Sequence, residues 1–152
     1  MKIKIFIIFL LLLMINSCGY NPIYYKENNT FKISKLEING IGKINNKINS
    51  SLKNFQNLTK YQREFELNLL TEKETNIASK DAKGDIKTFD LKISVKLIVK
   101  EDDVILKTKN FQKNYIYNSI NNKFDQSKNE KILMENLTEK IIEEIILFLY
   151  SV

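Results

Sequence analysis

One residue in this chain of 152 carries a strongly nucleophilic side chain: Cys18, its only cysteine. There is no histidine, so neither a Ser-His-Asp triad nor a Cys-His pair can be assembled. A His/Cys zinc site is equally out of reach, and a single cysteine cannot close an intrachain disulfide. Four glycines leave no Walker loop and no GxGxxG fingerprint. Paired carboxylates can hydrolyse bonds without histidine. Here, however, the acids fall in a turn (Glu101, Asp102, Asp103) or on the outer face of an expected helix (Glu135, Glu139, Glu143). None stands alone in an apolar surround, as a tuned catalytic acid does. The residue types point away from an enzyme.

The chemistry that Cys18 can do is set by what precedes it. Met1–Lys4 is basic, and Ile5–Ile15 is an unbroken apolar run. As a helix that run spans about 16 Å, roughly half the ~30 Å hydrocarbon layer of a bilayer. It has the size and flanks of a secretory h-region; the alternative is an N-terminal anchor that is kept. The run ends in Ile15-Asn16-Ser17-Cys18-Gly19, which resembles a bacterial lipobox, with Asn16 in place of the usual small or apolar residue. A thiolate at that place can take a diacylglyceryl group as a thioether. Cleavage before it frees the Cys18 amine for another acyl chain. Two or three chains, at ~0.8 kcal/mol per buried CH₂, anchor a protein durably. Gly19 rather than aspartate after the cysteine resembles the enteric signal for export to the outer membrane. The expected division is a signal peptide at 1–17, a lipidated tether at 18–30, and one domain at 31–152.

Removing the leader leaves 135 residues, enough to bury about two-thirds of the unfolded surface. With 43% apolar and 28% charged residues the composition is globular. The leader carries two lysines, so the net charge of +6 falls to +4 in the mature chain. Only one basic residue, Arg63, is arginine. Nucleic-acid readers lean on the arginine fork, so no nucleic-acid partner is expected.

The elements that must position these residues follow from periodicity. Phe31–Gly40 reads as a first strand, with a turn at Gly40 and Gly42. Ile44, Ile48, Leu52, Phe55 and Leu58 make one helical stripe. Glu64–Leu70 alternates as a half-buried strand that can run on toward a turn at Lys83-Gly84-Asp85. Phe89–Val99 alternates most clearly, with Phe89, Leu91, Ile93, Val95, Leu97 and Val99 on one side. Val104–Tyr117 returns after the acidic turn, with a change of parity that suggests a bulge near Lys109-Asn110. A capping box at Ser127-Lys128-Asn129-Glu130 opens a last helix, whose stripe is Leu133, Leu137, Ile141, Ile145 and Phe148/Leu149. The expected fold is therefore α+β: a two-layer sandwich of an antiparallel or mixed four-stranded sheet with two helices on one face, in the order β-α-β-β-β-α. On the polar side of the clearest strand, Lys92, Lys96 and Lys100 recur every four residues, about 13 Å apart on a common face.

Two patterns within this order resemble the lipopolysaccharide-assembly lipoprotein LptE in its alphaproteobacterial form. One is Cys18-Gly19-Tyr20-Asn21-Pro22-Ile23-Tyr24, like the family's Cys-Gly-aromatic-x-Pro-Leu-Tyr start. The other is Tyr115-Ile116-Tyr117-Asn118 followed by Asn122-Lys123-Phe124 and the final helix. There the family has Ser-Tyr-Asn, and Ile116 stands in place of the serine. The resemblance implies an outer-membrane lipoprotein on the periplasmic side, with no cofactor beyond the lipid on Cys18. It implies a plug within the LptD barrel that assists lipopolysaccharide delivery. That lipid carries phosphates and acidic sugars, which Lys92, Lys96 and Lys100 could meet as point charges; a solvated sheet face and contact with acidic groups of a barrel lumen are the other readings of the row. An auxiliary lipoprotein of a lipid ABC transporter, or another envelope scaffold, is the alternative function.

Overall fold

Strand β1 (Phe31–Gly40) and strand β2 (Arg63–Lys80) are neighbours and run parallel. Parallel neighbours cannot be joined by a tight turn, and helix α1 (Gly42–Gln56) makes the crossover. Strands β3 (Ile86–Glu101) and β4 (Val104–Asn118) follow as antiparallel hairpins. The sheet order is β1-β2-β3-β4, and helix α2 (Lys123–Leu149) completes the chain. This is a computed structural model, and it describes residues 31–152. The expected signal peptide and tether, with Cys18, lie outside the described residues.

The expected α+β sandwich is what forms. Along β3 the side chains of Leu91, Ile93, Val95, Leu97 and Val99 are wholly buried. They join Phe65, Leu67 and Leu69 of β2 under both helices. From α1 come Ile44, Ile48 and Leu52, and from α2 Leu137, Ile141, Ile145 and Leu149. Many Asn and Ser residues make α1 a poor helix by propensity, so its apolar stripe is held by packing on β1. Leu58 falls beyond the end of the helix and is half-buried.

Three boundaries differ from expectation. The bulge of β4 is not at Lys109-Asn110. Val99 pairs with Lys107 and Lys100 with Ile105, so Leu106 is the extra residue. The unpaired residue sits beside the tight turn, where Asp102 and Asp103 both take positive φ and tighten the local twist. A second irregularity at Ser34 of β1 shifts the inward positions from Phe31 and Ile33 to Leu36 and Ile38. Helix α2 begins a turn before the expected box. Asn122 caps it by accepting from the Phe124 N–H at 2.9 Å, and the Gln126 side chain accepts from the Ile120 N–H at 2.7 Å. Glu130, expected to turn back to the backbone, instead bonds sideways to the sheet. The buried face of α2 is also broader than one stripe, since Met134, Thr138 and Ile142 are buried too.

Candidate functional site

The lysine row lies where its period puts it, on the sheet face away from the helices. There it stands beside carboxylates of β2, which the register sets opposite: Glu74 faces Lys92, and Glu66 faces Lys100. Lys92 donates to Glu74 Oε2 at 3.1 Å. Among the described residues, Lys96 and Lys100 form no ion pair. Lys96 sits opposite Leu70 on one side and Asn110 on the other. Lys100 is close enough to Glu37 to help hold that carboxyl below its usual range, though the hydrogen bond and charge of Lys35 do most of this. The face is thus a mixed-sign polar surface on which Lys96 is exposed and Lys100 half-buried.

Arg63, the only arginine, belongs to the frame. Its Nε and a terminal nitrogen donate to the two carboxylate oxygens of Glu101, at 3.1 and 2.7 Å. Its guanidinium lies 4.9 Å from the Phe65 ring centre. This fork ties β2 to the end of β3, a geometry lysine cannot reproduce. At the same end, Phe31 is buried, stacked on Phe55 at 4.9 Å and edge-on to Tyr150 at 5.1 Å. Strand β1 therefore begins in a packed aromatic cluster.

The opposite end of the sheet holds a cleft of about 590 Å³ between the starts of α1 and α2. Its wall contains a polar node that ties α2 to the sheet. Glu130 accepts from the Tyr117 hydroxyl at 3.0 Å and from Thr75 at 3.3 Å, and it pairs with Lys73. Burial pushes the Glu130 carboxyl up, but the bonds from Lys73 and Tyr117 outweigh burial and hold it below the ordinary value of 4.5. The Tyr117 hydroxyl is pushed up to about 12, by burial first and by Glu130 second. A carboxyl depressed in the folded state stabilises the fold above its unfolded value, and loses that contribution as pH falls through the folded one. Glu130→Gln is therefore expected to cost about 1 kcal/mol at pH 7. In thermal melts, the gap between variant and parent should close as pH falls below 4.5.

The node and cleft escape a reading of the sequence because their residues come from positions 41 to 134. Glu130 was legible only as a capping residue. Among the described residues no three side chains could hold a metal ion together, and no helix is long and apolar enough to cross a membrane.

With the sheet, the two helices and these sites in place, the domain can be set beside known proteins. It superposes on rare lipoprotein B from Shewanella oneidensis with a TM-score of 0.64, covering 79% of this chain and 94% of that one at 13% identity. It has the lipoprotein B fold. Lipoprotein B from Nitrosomonas europaea gives a TM-score of 0.58 at 14% identity, covering 78% of this chain and 81% of that one. A minor lipoprotein from Acinetobacter baumannii gives 0.57 at 12% identity, with 80% and 91% covered. No family model matches the chain, and no curated protein matches it in sequence. At such identities the fold alone is shared.

Proposed function

We infer that this chain is a lipid-anchored lipoprotein of the outer membrane, facing the periplasm, and that it acts by binding rather than by catalysis. In this reading it is an LptE-type plug for an LptD-type barrel and assists the assembly of lipopolysaccharide at the cell surface. The observation that carries the reading is a conjunction. A domain with the fold of solved lipoproteins, matching one of them over 94% of its length, begins 13 residues after a lipobox cysteine. The 13 steps from Cys18 to Phe31 can reach at most ~47 Å when extended, which keeps the domain near the membrane surface. Within the row Lys92, Lys96 and Lys100, the two without an ion pair among the described residues, Lys96 and Lys100, are where phosphates of the lipid would make contact, worth little in water and more where solvent is excluded.

A tagged full-length protein, solubilised in mild detergent, should recover an outer-membrane protein of barrel size. Recovery of inner-membrane transporter subunits in its place would overturn the plug and favour the auxiliary role. Lipidation is checked separately: metabolic labelling with a palmitate analogue should be lost in Cys18→Ala, and the variant should leave the membrane fraction. Equal labelling of variant and parent would remove the anchor from the reading.

A further inference from the structure

We propose that the cleft between the starts of α1 and α2 is a binding site for a short acidic peptide segment that carries two carboxylates around an apolar side chain. Its buried side is lined by Met134 and Phe89, with Ile41 and Ile120 at its opening. Exposed lysines surround it: Lys43 from α1, and Lys123 and Lys131 from α2, of which Lys131 also makes a long, solvent-exposed pair of 3.9 Å with Glu135 one turn on that contributes little. The one carboxylate in the lining, Glu130, is already held by Lys73, Tyr117 and Thr75. The remaining charge of the cleft is therefore positive, and a ligand that fills it must be an anion with an apolar part.

Spacing selects the kind of anion. Lys123 and Lys131 are eight residues apart on one helix, about 12 Å along its axis. A single phosphate or headgroup cannot meet both. In an extended peptide, residues i, i+2 and i+4 share one side, and the outer two lie about 13 Å apart. Acid, apolar and acid at those positions would place a carboxylate at each lysine and the apolar side chain over Met134 and Phe89. An acyl chain needs an unbroken dry channel, but here Ser119, Asn121 and Ser127 interrupt the apolar lining. The walls are set before a ligand arrives, by Gln126 on Ile120 and by Asn122 on Phe124, so little ordering cost remains to be met on binding. The volume lies within the usual range for ligand sites.

This site does not rest on the barrel reading, since it is tested on the isolated protein. Full-length protein in neutral detergent micelles is titrated against fluorescein-labelled Glu-Ser-Leu-Ser-Glu, followed by anisotropy. Binding should saturate and weaken with salt. The triple variant Lys43→Gln, Lys123→Gln, Lys131→Gln should lose at least about tenfold in affinity. A charge-matched control, Lys92→Gln, Lys96→Gln, Lys100→Gln, should stay within about twofold, because those lysines lie on the far face of the sheet. All six side chains are outside the core, and melting curves of both variants check that the fold is kept. Equal losses in the two triple variants, or equal affinity for Gln-Ser-Leu-Ser-Gln, would overturn the proposal. So would tighter binding of inorganic phosphate or dihexanoyl phosphatidate as competitors, which would make the cleft a phosphate or lipid site.

Discussion

Gly40→Ala is expected to destabilise the domain by at least ~3 kcal/mol, and to lower its melting temperature by about 10 °C or more. Gly40 closes β1 at a φ of +110°, in the left-handed region. A β-carbon there would lie 2.0 Å from the Thr71 carbonyl oxygen and 2.7 Å from its hydroxyl oxygen. The backbone of β2 is the obstacle, so no rotamer change relieves the contact, and the strained φ adds roughly 1–3 kcal/mol. Thr71 is itself buried and occupied: its hydroxyl accepts from the Ile41 N–H at 2.9 Å and donates to Asn45 at 2.5 Å. Moving it would release the start of α1, whose N-cap, Ile41, has no side-chain cap of its own. The same substitution two residues on supplies the control. A β-carbon on Gly42 meets nothing within 4 Å, and Gly42→Ala should be neutral or stabilising by up to about 1 kcal/mol. Melts showing equal effects at the two positions would refute the close approach of β1 to β2.

Ile93→Ala should cost about 2–5 kcal/mol, the range for an aliphatic side chain removed from a close-packed core. Ile93 is completely buried at the middle of β3. Lys73 of β2 and Lys113 of β4 flank it in the register. Both reach up to α2, Lys73 to Glu130 and Lys113 to Glu144. The two ion pairs hold the helix over Ile93, so the surroundings cannot easily collapse into the space the side chain leaves. Lys92→Ala and Ser94→Ala, one residue to either side, face the other way and should stay within about ±0.5 kcal/mol. Denaturant titrations that rank Lys92 or Ser94 above Ile93 would reverse the assignment of the sheet's two faces.

How much of this was legible beforehand depends on the range of the interaction concerned. The alternation of Phe89–Val99 and the spacing of Ile44, Ile48 and Leu52 are local patterns, and they name strand, helix and buried face without any partner. That Lys92, Lys96 and Lys100 share a face follows from a period of two. That Glu74 takes Lys92 and leaves Lys96 open depends on how β2 slides against β3, which no single strand encodes. The same holds for Arg63 and Glu101, 38 residues apart. At the start of α2, two cap signals five residues apart compete. Asn122 wins because Glu130 gains more from Tyr117 and Lys73 across the sheet than from its own backbone. The β4 bulge settled at Leu106 because pairing with β3, not the strand's own pattern, decides which residue is left out.

The sequence by itself determined the element order and the buried faces of β3 and α1, because local periodicity sets each of these. The tertiary structure alone decided the parallel pairing of β1 with β2, the need for glycine at position 40, the Glu130 node and the cleft, because each brings together groups from separate elements, and only the closed sheet fixes their distances.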